Sequence, residues 1–181
     1  MKEQDKHYKK KKIEISQLYI SYLLKNENKD PNVLCFCKAM KINRSTFYSN
    51  FNDLWELQDF IYENYKEELN SFYNSIPEGN SNLDDFLPFH LSFIKDHASF
   101  YKVFGKYSSY DKGIFHNKRI ETFILESLNP LNISMETKGY LYQFQLYGLR
   151  RILAIWINND CNPSIPEMVS IIHECLSVNL N

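Results

Sequence analysis

Apolar residues recur at steps of three and four along most of this chain, and no long stretch alternates apolar with polar positions. Such steps predict helices, because 3.6 residues per turn bring these positions onto one face. The predicted helices span, in chain order, about 13–25, 31–40, 44–51, 53–75, 83–96, 98–107, 111–127, 134–159 and 164–178. The pattern therefore predicts an all-α fold.

Polar breaks between these helices indicate where the chain divides. The clearest is 77–82, PEGNSN, because Pro and Gly interrupt helices and Asn and Ser favour turns. The helix before this break starts behind Asp53, a favourable N-cap, with Glu56 three residues later as in a capping box. We predict a small domain at 1–52 and a larger helical domain at 53–181, in which 53–75 is a connecting helix.

Charge is distributed unevenly, although the whole chain has a formal net charge of −1. Residues 1–50 contain eleven Lys or Arg against five acids, a net charge of +6, which leaves −7 for the remainder. A basic segment on an acidic body is typical of a nucleic-acid binder with a second function. For residues 2–10 taken alone, an ordinary solvated lysine tail explains the charge equally well.

The sequence also bears on compartment and chemistry. No apolar segment has the length of a signal-peptide core or a membrane span, so we expect a cytoplasmic protein with no membrane partner. The cysteine spacing fits neither a disulfide framework nor a zinc site, which predicts free thiols and no metal: Cys35, Cys37, Cys161 and Cys175. Because no nucleophile elbow, phosphate loop or carboxylate dyad is recognisable, we predict no catalytic residues, no cofactor and no enzyme.

The third predicted helix carries the most informative motif. Asn43 is a good N-cap for it, and Phe47 and Phe51 lie four residues apart on an inward face. Three short helices with a tight turn before the third can place that helix in a DNA major groove. Residues 38–53, KAMKINRSTFYSNFND, resemble the signature of the TetR/AcrR family of bacterial transcriptional regulators. The positions in register with that signature are Thr46, Phe47, Tyr48, Phe51, Asp53, Glu56 and Leu57.

The resemblance implies a homodimeric regulator, usually a repressor, that leaves its double-stranded DNA operator when an unidentified small-molecule effector enters the C-terminal domain. It implies a helix-turn-helix domain at 1–52 and a ligand-binding and dimerisation domain beyond it. The recognition helix begins at or near Asn43, which matches the family's capping Ser. The residues that match DNA-contacting positions are Arg44, Ser45 and Thr46 near base edges or phosphates, and Tyr48 and Asn50 on the backbone.

Two positions depart from the family signature. Lys41 replaces the turn glycine, so it must either adopt a left-handed conformation at a cost or alter the turn. Leu54 replaces a lysine at the start of the fourth helix, which removes one phosphate contact. We expect DNA binding to depend more on Lys38, Lys41 and residues 9–12, each of which could equally be ordinary solvated charge. The departures leave an alternative open: an activator, or a protein-interaction adaptor with weakened DNA binding.

The C-terminal helices resemble the dimerisation region of one subgroup of this family. Gly148, Trp156 and the segment 164–168, SIPEM, follow the subgroup's pattern. Apolar residues cover two faces of the helix at 134–159, which is more than a surface helix needs. The predicted dimer contacts are Leu146, Arg150, Leu153, Trp156, Ile157, Met168 and Ile172. The alternative is that these residues form the core of a monomeric body.

An aromatic-rich segment lies where members of the family open a ligand cavity. Aromatic walls with a few polar groups are typical of such cavities. The residues predicted to line it are Phe89, Phe93, Phe104, Tyr107, Phe123, Tyr142 and Tyr147. For each of them alone, packing in a hydrophobic core is the competing interpretation.

Overall fold

A computed structural model of the protein describes residues 3–26, 30–76, 83–105 and 118–176. All regular secondary structure in these ranges is helical, which confirms the all-α prediction. No helix in them combines the length and apolar composition that a membrane span requires. The helices are α1 (Glu3–Lys25), α2 (Val33–Met40), α3 (Arg44–Tyr48), α4 (Leu54–Ser75), α5 (Leu83–Asp96), α6 (Ala98–Phe104), α7 (Lys118–Leu128), α8 (Met135–Asn158) and α9 (Ile165–Leu176).

The helix ends differ from the prediction mainly at α1 and α3. α1 begins at Glu3 rather than near residue 13, because lysine favours helices even where no apolar stripe marks them. α3 ends at Tyr48, and the chain continues to Phe51 as a turn in which the Phe51 N–H donates to the Phe47 carbonyl at 2.9 Å. The start of the predicted helix at 111–127 and the end of that at 98–107 lie outside the described residues.

The chain divides into two compact units, Met1–Ser75 and Ile76–Asn181. The helix α4, predicted as the connecting helix of the second domain, is therefore grouped with the first unit. The reason is its packing against α1: Leu57, Ile61 and Tyr65 are buried on α4, and the Gln58 side-chain amide donates to the Tyr19 hydroxyl at 2.8 Å.

A continuous chain of aromatic rings forms the core of the first unit. The ring of Tyr19 on α1 meets Phe36 on α2 edge-on at 5.1 Å between centroids, and Phe36 meets Phe47 on α3 at 6.1 Å. Phe51 then lies 6.0 Å from Phe47 and 5.7 Å from Phe60 on α4. Edge-to-face contacts of this kind add to the burial of apolar area. They fix the position of α3 against the three longer helices.

In the second unit, α8 lies against α6, α7 and α9, and α9 also packs on α5. Leu149, Leu153 and Trp156 of α8 are buried there, as is Ile172 of α9. The Trp156 indole N–H donates to the Pro163 carbonyl at 2.7 Å, which ties the end of α8 to the turn before α9. The core of this unit is therefore built around one side of α8.

Candidate nucleic-acid interface

The turn between α2 and α3 forms without the glycine that the family signature has there. Lys41 adopts the left-handed conformation, with φ 56° and ψ 39°. This is the first of the two outcomes expected for a residue with a Cβ at this position. The N–H of Ile42 donates to the Cys37 carbonyl at 2.9 Å, which closes the end of α2. The side chains of Lys38 and Lys41 are both exposed around this turn.

Asparagine side chains cap both helices of the motif. Asn32 Oδ1 accepts a hydrogen bond from the Cys35 N–H at 2.9 Å at the start of α2. Asn43 Oδ1 accepts from the Ser45 N–H at 3.1 Å at the start of α3, which confirms Asn43 as the N-cap. These caps satisfy N–H groups that a helix start otherwise leaves without partners.

The two faces of α3 separate as the sequence predicts. Phe47 is fully buried, while Arg44, Ser45 and Tyr48 are exposed and Thr46 is half-buried. Arg44 and Tyr48 lie four residues apart, and the Arg44 guanidinium carbon is 5.8 Å from the centre of the Tyr48 ring. The outer face of α3 thus presents one arginine, one tyrosine and short hydroxyl side chains.

Asn50 does not lie on this outer face, so its expected exposure is corrected. The residue is only 7% exposed, and its side-chain amide donates to the Thr46 carbonyl at 2.8 Å. The Asn50 carbonyl accepts a hydrogen bond from the Tyr8 hydroxyl at 3.5 Å. A short asparagine side chain at a helix end readily bonds the preceding turn. Asn50 closes α3 and links it to α1, and offers no free amide for a phosphate.

At the start of α4, Asp53 caps the helix as predicted, because its Oδ1 accepts from the Glu56 N–H at 2.8 Å. The Glu56 carboxylate accepts from the backbone N–H of Asn52 at 2.8 Å and from its side-chain amide at 2.7 Å. The backbone hydrogen bond from Asn52 is the main cause that lowers the pKa of the Glu56 carboxyl. Leu54 is buried, whereas its neighbour Trp55 is 71% exposed.

Lys12, one of the lysines expected to contact phosphates, lies instead against aromatic rings. Its ammonium lies 4.7 Å from the ring centre of Phe51, 5.2 Å from Tyr8 and 5.4 Å from Phe60. It also lies 3.6 Å from a carboxylate oxygen of Glu56. A cation over several ring faces is attracted by their negative potential. Because Phe51 and Phe60 are distant from Lys12 in the chain, no local pattern could have indicated these two contacts.

The other lysines at 9–12 were considered as phosphate contacts, and two of them form ion pairs within the chain. Lys9 pairs with Glu67 of α4 at 3.1 Å, and Lys11 pairs with Glu14 at 2.9 Å. All four side chains in these pairs are largely exposed to solvent. Exposed pairs of this kind contribute little to stability, so exchanging a carboxylate for a phosphate costs little.

The residues predicted to line a ligand cavity do not share one environment. The buried or half-buried members are Phe93, Phe104, Phe123 and Tyr142. Phe89 is 46% exposed and Tyr147 is 59% exposed, so both lie on the surface, unlike the other described members of the set. Helical spacing shows that an aromatic belongs to a stripe but not whether a neighbour covers it. Tyr107 lies outside the described residues.

Most of the predicted dimer contacts lie in the core of the second unit. The buried members are Leu146, Leu153, Trp156, Ile157, Met168 and Ile172. A side chain covered by its own subunit offers little surface to another, so this burial favours the alternative of a core within one subunit. The seventh, Arg150, is half-buried, and its guanidinium lies 5.3 Å from the Tyr147 ring centre. The monomer-core alternative describes these positions.

A different side of α8 carries the exposed apolar residues of that helix. The exposed large apolar residues of α8 are Met135, Tyr140, Phe144, Tyr147 and Ile155. The last four follow steps of four, three and eight, which places them on one face. We call the face formed by Tyr140, Phe144, Tyr147 and Ile155 the outer face of α8. Gly148 borders it, and a Cβ added there would meet no atom within 4 Å.

His90 is the most strongly perturbed titratable group in the described part of the chain. It is buried on α5 and its ring stacks on Phe86 at 5.4 Å. Burial lowers the pKa of the imidazole from 6.5 to about 4, because the cation is poorly solvated there. At neutral pH the side chain is uncharged and packs as a core residue. Among the described residues, no group of three His, Cys, Asp or Glu could hold a metal ion.

The site is thus a short capped helix with Arg44, Ser45 and Tyr48 outward, flanked by the exposed Lys38 and Lys41. Its exposed side chains carry three positive charges, from Arg44, Lys38 and Lys41, and its geometry suits contact with a polyanion. No protein-family model matches this chain, and no curated protein sequence matches it either.

Proposed function

We propose that this protein is a sequence-specific regulator of transcription of the TetR/AcrR type, a repressor that binds double-stranded DNA as a homodimer and responds to a small-molecule effector. One observation carries the proposal: α3 exposes Arg44, Ser45 and Tyr48 while Phe47 holds its inner face in the core. The effector response rests on the sequence resemblance alone.

Electrostatics support the DNA-binding part of the proposal. Lys38 and Lys41 are exposed beside α3 and can each approach a phosphate. The first fifty residues, which include α3, carry a net charge of +6 against −7 for the rest, so the positive charge is concentrated in the segment that contains α3. Lysine and arginine contacts to phosphates supply most non-specific affinity through counterion release, whereas base contacts supply sequence preference.

Binding to DNA can be tested with an operator selected from a randomised duplex library and a scrambled duplex of the same length. We expect Arg44→Ala to reduce the preference for the operator, because it removes a base contact. Tyr48→Phe should weaken binding to both duplexes about equally, because it removes only a hydroxyl that contacts the backbone. Fluorescence anisotropy at several salt concentrations measures both effects. Equal loss of preference in the two variants contradicts these roles.

A second candidate is a protein-interaction adaptor that keeps the fold but binds DNA weakly. It is favoured by the burial of both Asn50 and Leu54, since neither position supplies the phosphate contact that the family signature has there. Selection from the duplex library separates the two candidates. An adaptor enriches no sequence at any salt concentration, whereas a regulator enriches a palindrome whose half-site spacing matches a twofold dimer.

The homodimer in this proposal uses the outer face of α8 instead of the residues that the sequence suggested. Three aromatic side chains and an isoleucine on one side of a helix leave a large apolar area in water, which is unfavourable for a monomer. Arg151 is exposed and lies four residues from both Tyr147 and Ile155 on the same face. Arginine and aromatic residues are enriched at the centres of protein interfaces.

Sedimentation of the double variant Phe144→Glu/Tyr147→Glu tests this dimer. We expect the wild type to sediment as a dimer at micromolar concentration and the double variant as a folded monomer, because two carboxylates would be desolvated in the interface. Leu125→Glu, at an exposed apolar position on α7, is the matched control and should remain dimeric. A wild-type monomer contradicts the dimer, and a dimeric double variant contradicts the face.

A further inference from the structure

Arg44 is held over an aromatic ring on the outer face of α3. Its guanidinium carbon lies 5.8 Å from the centre of the Tyr48 ring, one helical turn away. In the part of the chain that the structure describes, no carboxylate forms an ion pair with this guanidinium. A guanidinium that lies against an aromatic ring still has its N–H donors free at the edge of the guanidinium plane. Because the ring already restricts the arginine rotamers, less side-chain entropy is lost when those donors bind a ligand.

The exposed serine hydroxyls of α3 and the turn after it are already engaged within the protein. The Ser45 hydroxyl donates to Asn43 Oδ1 at 3.0 Å, and the Ser49 hydroxyl donates to the Thr46 carbonyl at 3.0 Å. Both side chains are also too short to reach far beyond the helix. Arg44 is therefore the one side chain of α3 (Arg44–Tyr48) that presents a long fork of several donors to the outside.

We propose that Arg44 reads a guanine in the major groove and that the Tyr48 ring is the positioning residue for its guanidinium. The N7 and O6 atoms of guanine are two adjacent acceptors that match the two donors of an arginine fork. Lys38 and Lys41 are single point charges that match phosphates instead. The inference rests on the proposed DNA-binding function and adds to it the base that each half-site must contain.

Base analogues in the selected operator test the guanine contact. Replacing the critical guanine with 7-deazaguanine removes N7, so wild-type affinity should fall about 10-fold or more. Hypoxanthine at the same position keeps N7 and O6 and changes only the minor-groove edge, so it is the matched control and should change affinity little. In Arg44→Ala, 7-deazaguanine should cause no further loss, because the side chain that reads N7 is already absent.

Two variants at position 48 test the positioning role. Tyr48→Leu removes the ring, so the preference for guanine over adenine at that position should fall toward the value for Arg44→Ala. Tyr48→Phe keeps the ring, so it should keep the preference even though overall affinity falls. Melting temperatures near the wild-type value confirm that both variants fold, as expected for a side chain that is 48% exposed.

The outcomes separate this inference from the proposed function. If a specific operator is selected but replacing its guanines with 7-deazaguanine does not reduce affinity, the guanine contact is overturned. The proposed regulatory function is not contradicted by that result. If Tyr48→Leu keeps the full guanine preference, the positioning role is overturned. If the library yields no enriched sequence, the proposed function fails and the inference fails with it.

Discussion

Lys41 has a backbone conformation that a residue with a Cβ adopts at a cost of about 1–2 kcal/mol. The cost is offset because the left-handed residue allows the Ile42 N–H to donate to the Cys37 carbonyl at the end of α2, and it directs the chain into α3. A lysine therefore lies at the turn directly before α3. A strained residue next to a candidate interface is consistent with a role for its charge there.

Lys41→Gly should therefore stabilise the protein. Glycine removes the steric cost at φ 56°, and the greater entropy of the unfolded chain offsets part of the gain, so we expect a net increase of about 0.5–1 kcal/mol in the free energy of unfolding. Lys38→Gly, which removes the same charge from inside α2, is the control and should cost about 1 kcal/mol. Chemical denaturation measures both, and a Lys41→Gly variant less stable than wild type contradicts the expectation.

At the scale of the helices, a small network of side-chain contacts connects three elements: α1, the turn after α3 and the start of α4. Glu56 accepts two hydrogen bonds from Asn52 and lies 3.6 Å from Lys12, which in turn lies over the Phe51 ring. This network holds the end of α3 to the long helices on either side.

Glu56→Gln should reduce stability at neutral pH and remove part of the acid sensitivity of the first unit. The pKa of the Glu56 carboxyl is lowered in the folded protein, mainly by the hydrogen bond from the Asn52 N–H. Its contribution to the free energy of unfolding is therefore complete above the unfolded pKa of about 4.3. The contribution is lost as pH falls through the lower pKa of the folded state. The difference between the two proteins should vanish at lower pH. The exposed Glu63, which pairs with Lys66, is a control because Glu63→Gln should change little.

The helix α8 shows why burial cannot be assigned from periodicity alone. Its apolar positions cover most of its circumference, so the sequence is compatible with a core on either side. Packing of α6, α7 and α9 covers the side that includes Leu149, Leu153 and Trp156. The outer face of α8 remains exposed. The proposed dimer contact therefore uses the outer face rather than the side that contains Leu149, Leu153 and Trp156.

For the whole molecule, the neutral buried His90 predicts a loss of stability in mild acid. Because its pKa falls from 6.5 to about 4 on folding, the unfolded chain binds a proton that the folded protein does not. Stability is complete above pH 6.5 and falls as pH decreases toward 4, by as much as ~3 kcal/mol from this residue. His90→Gln should flatten the dependence across this window in denaturation curves. A titration of the His90 ring by NMR with a midpoint near 6.5 contradicts the expectation.

The amino-acid sequence by itself determined the helical class, the caps at Asn43 and Asp53 and the inward position of Phe47, since each depends on neighbours within one or two turns. Only the tertiary structure decided the contacts of Lys12, the burial of Asn50 and which side of α8 is covered. Those features depend on residues that are distant in the chain. Local spacing specifies which positions share a helix face, whereas packing between helices specifies which face meets protein and which meets water.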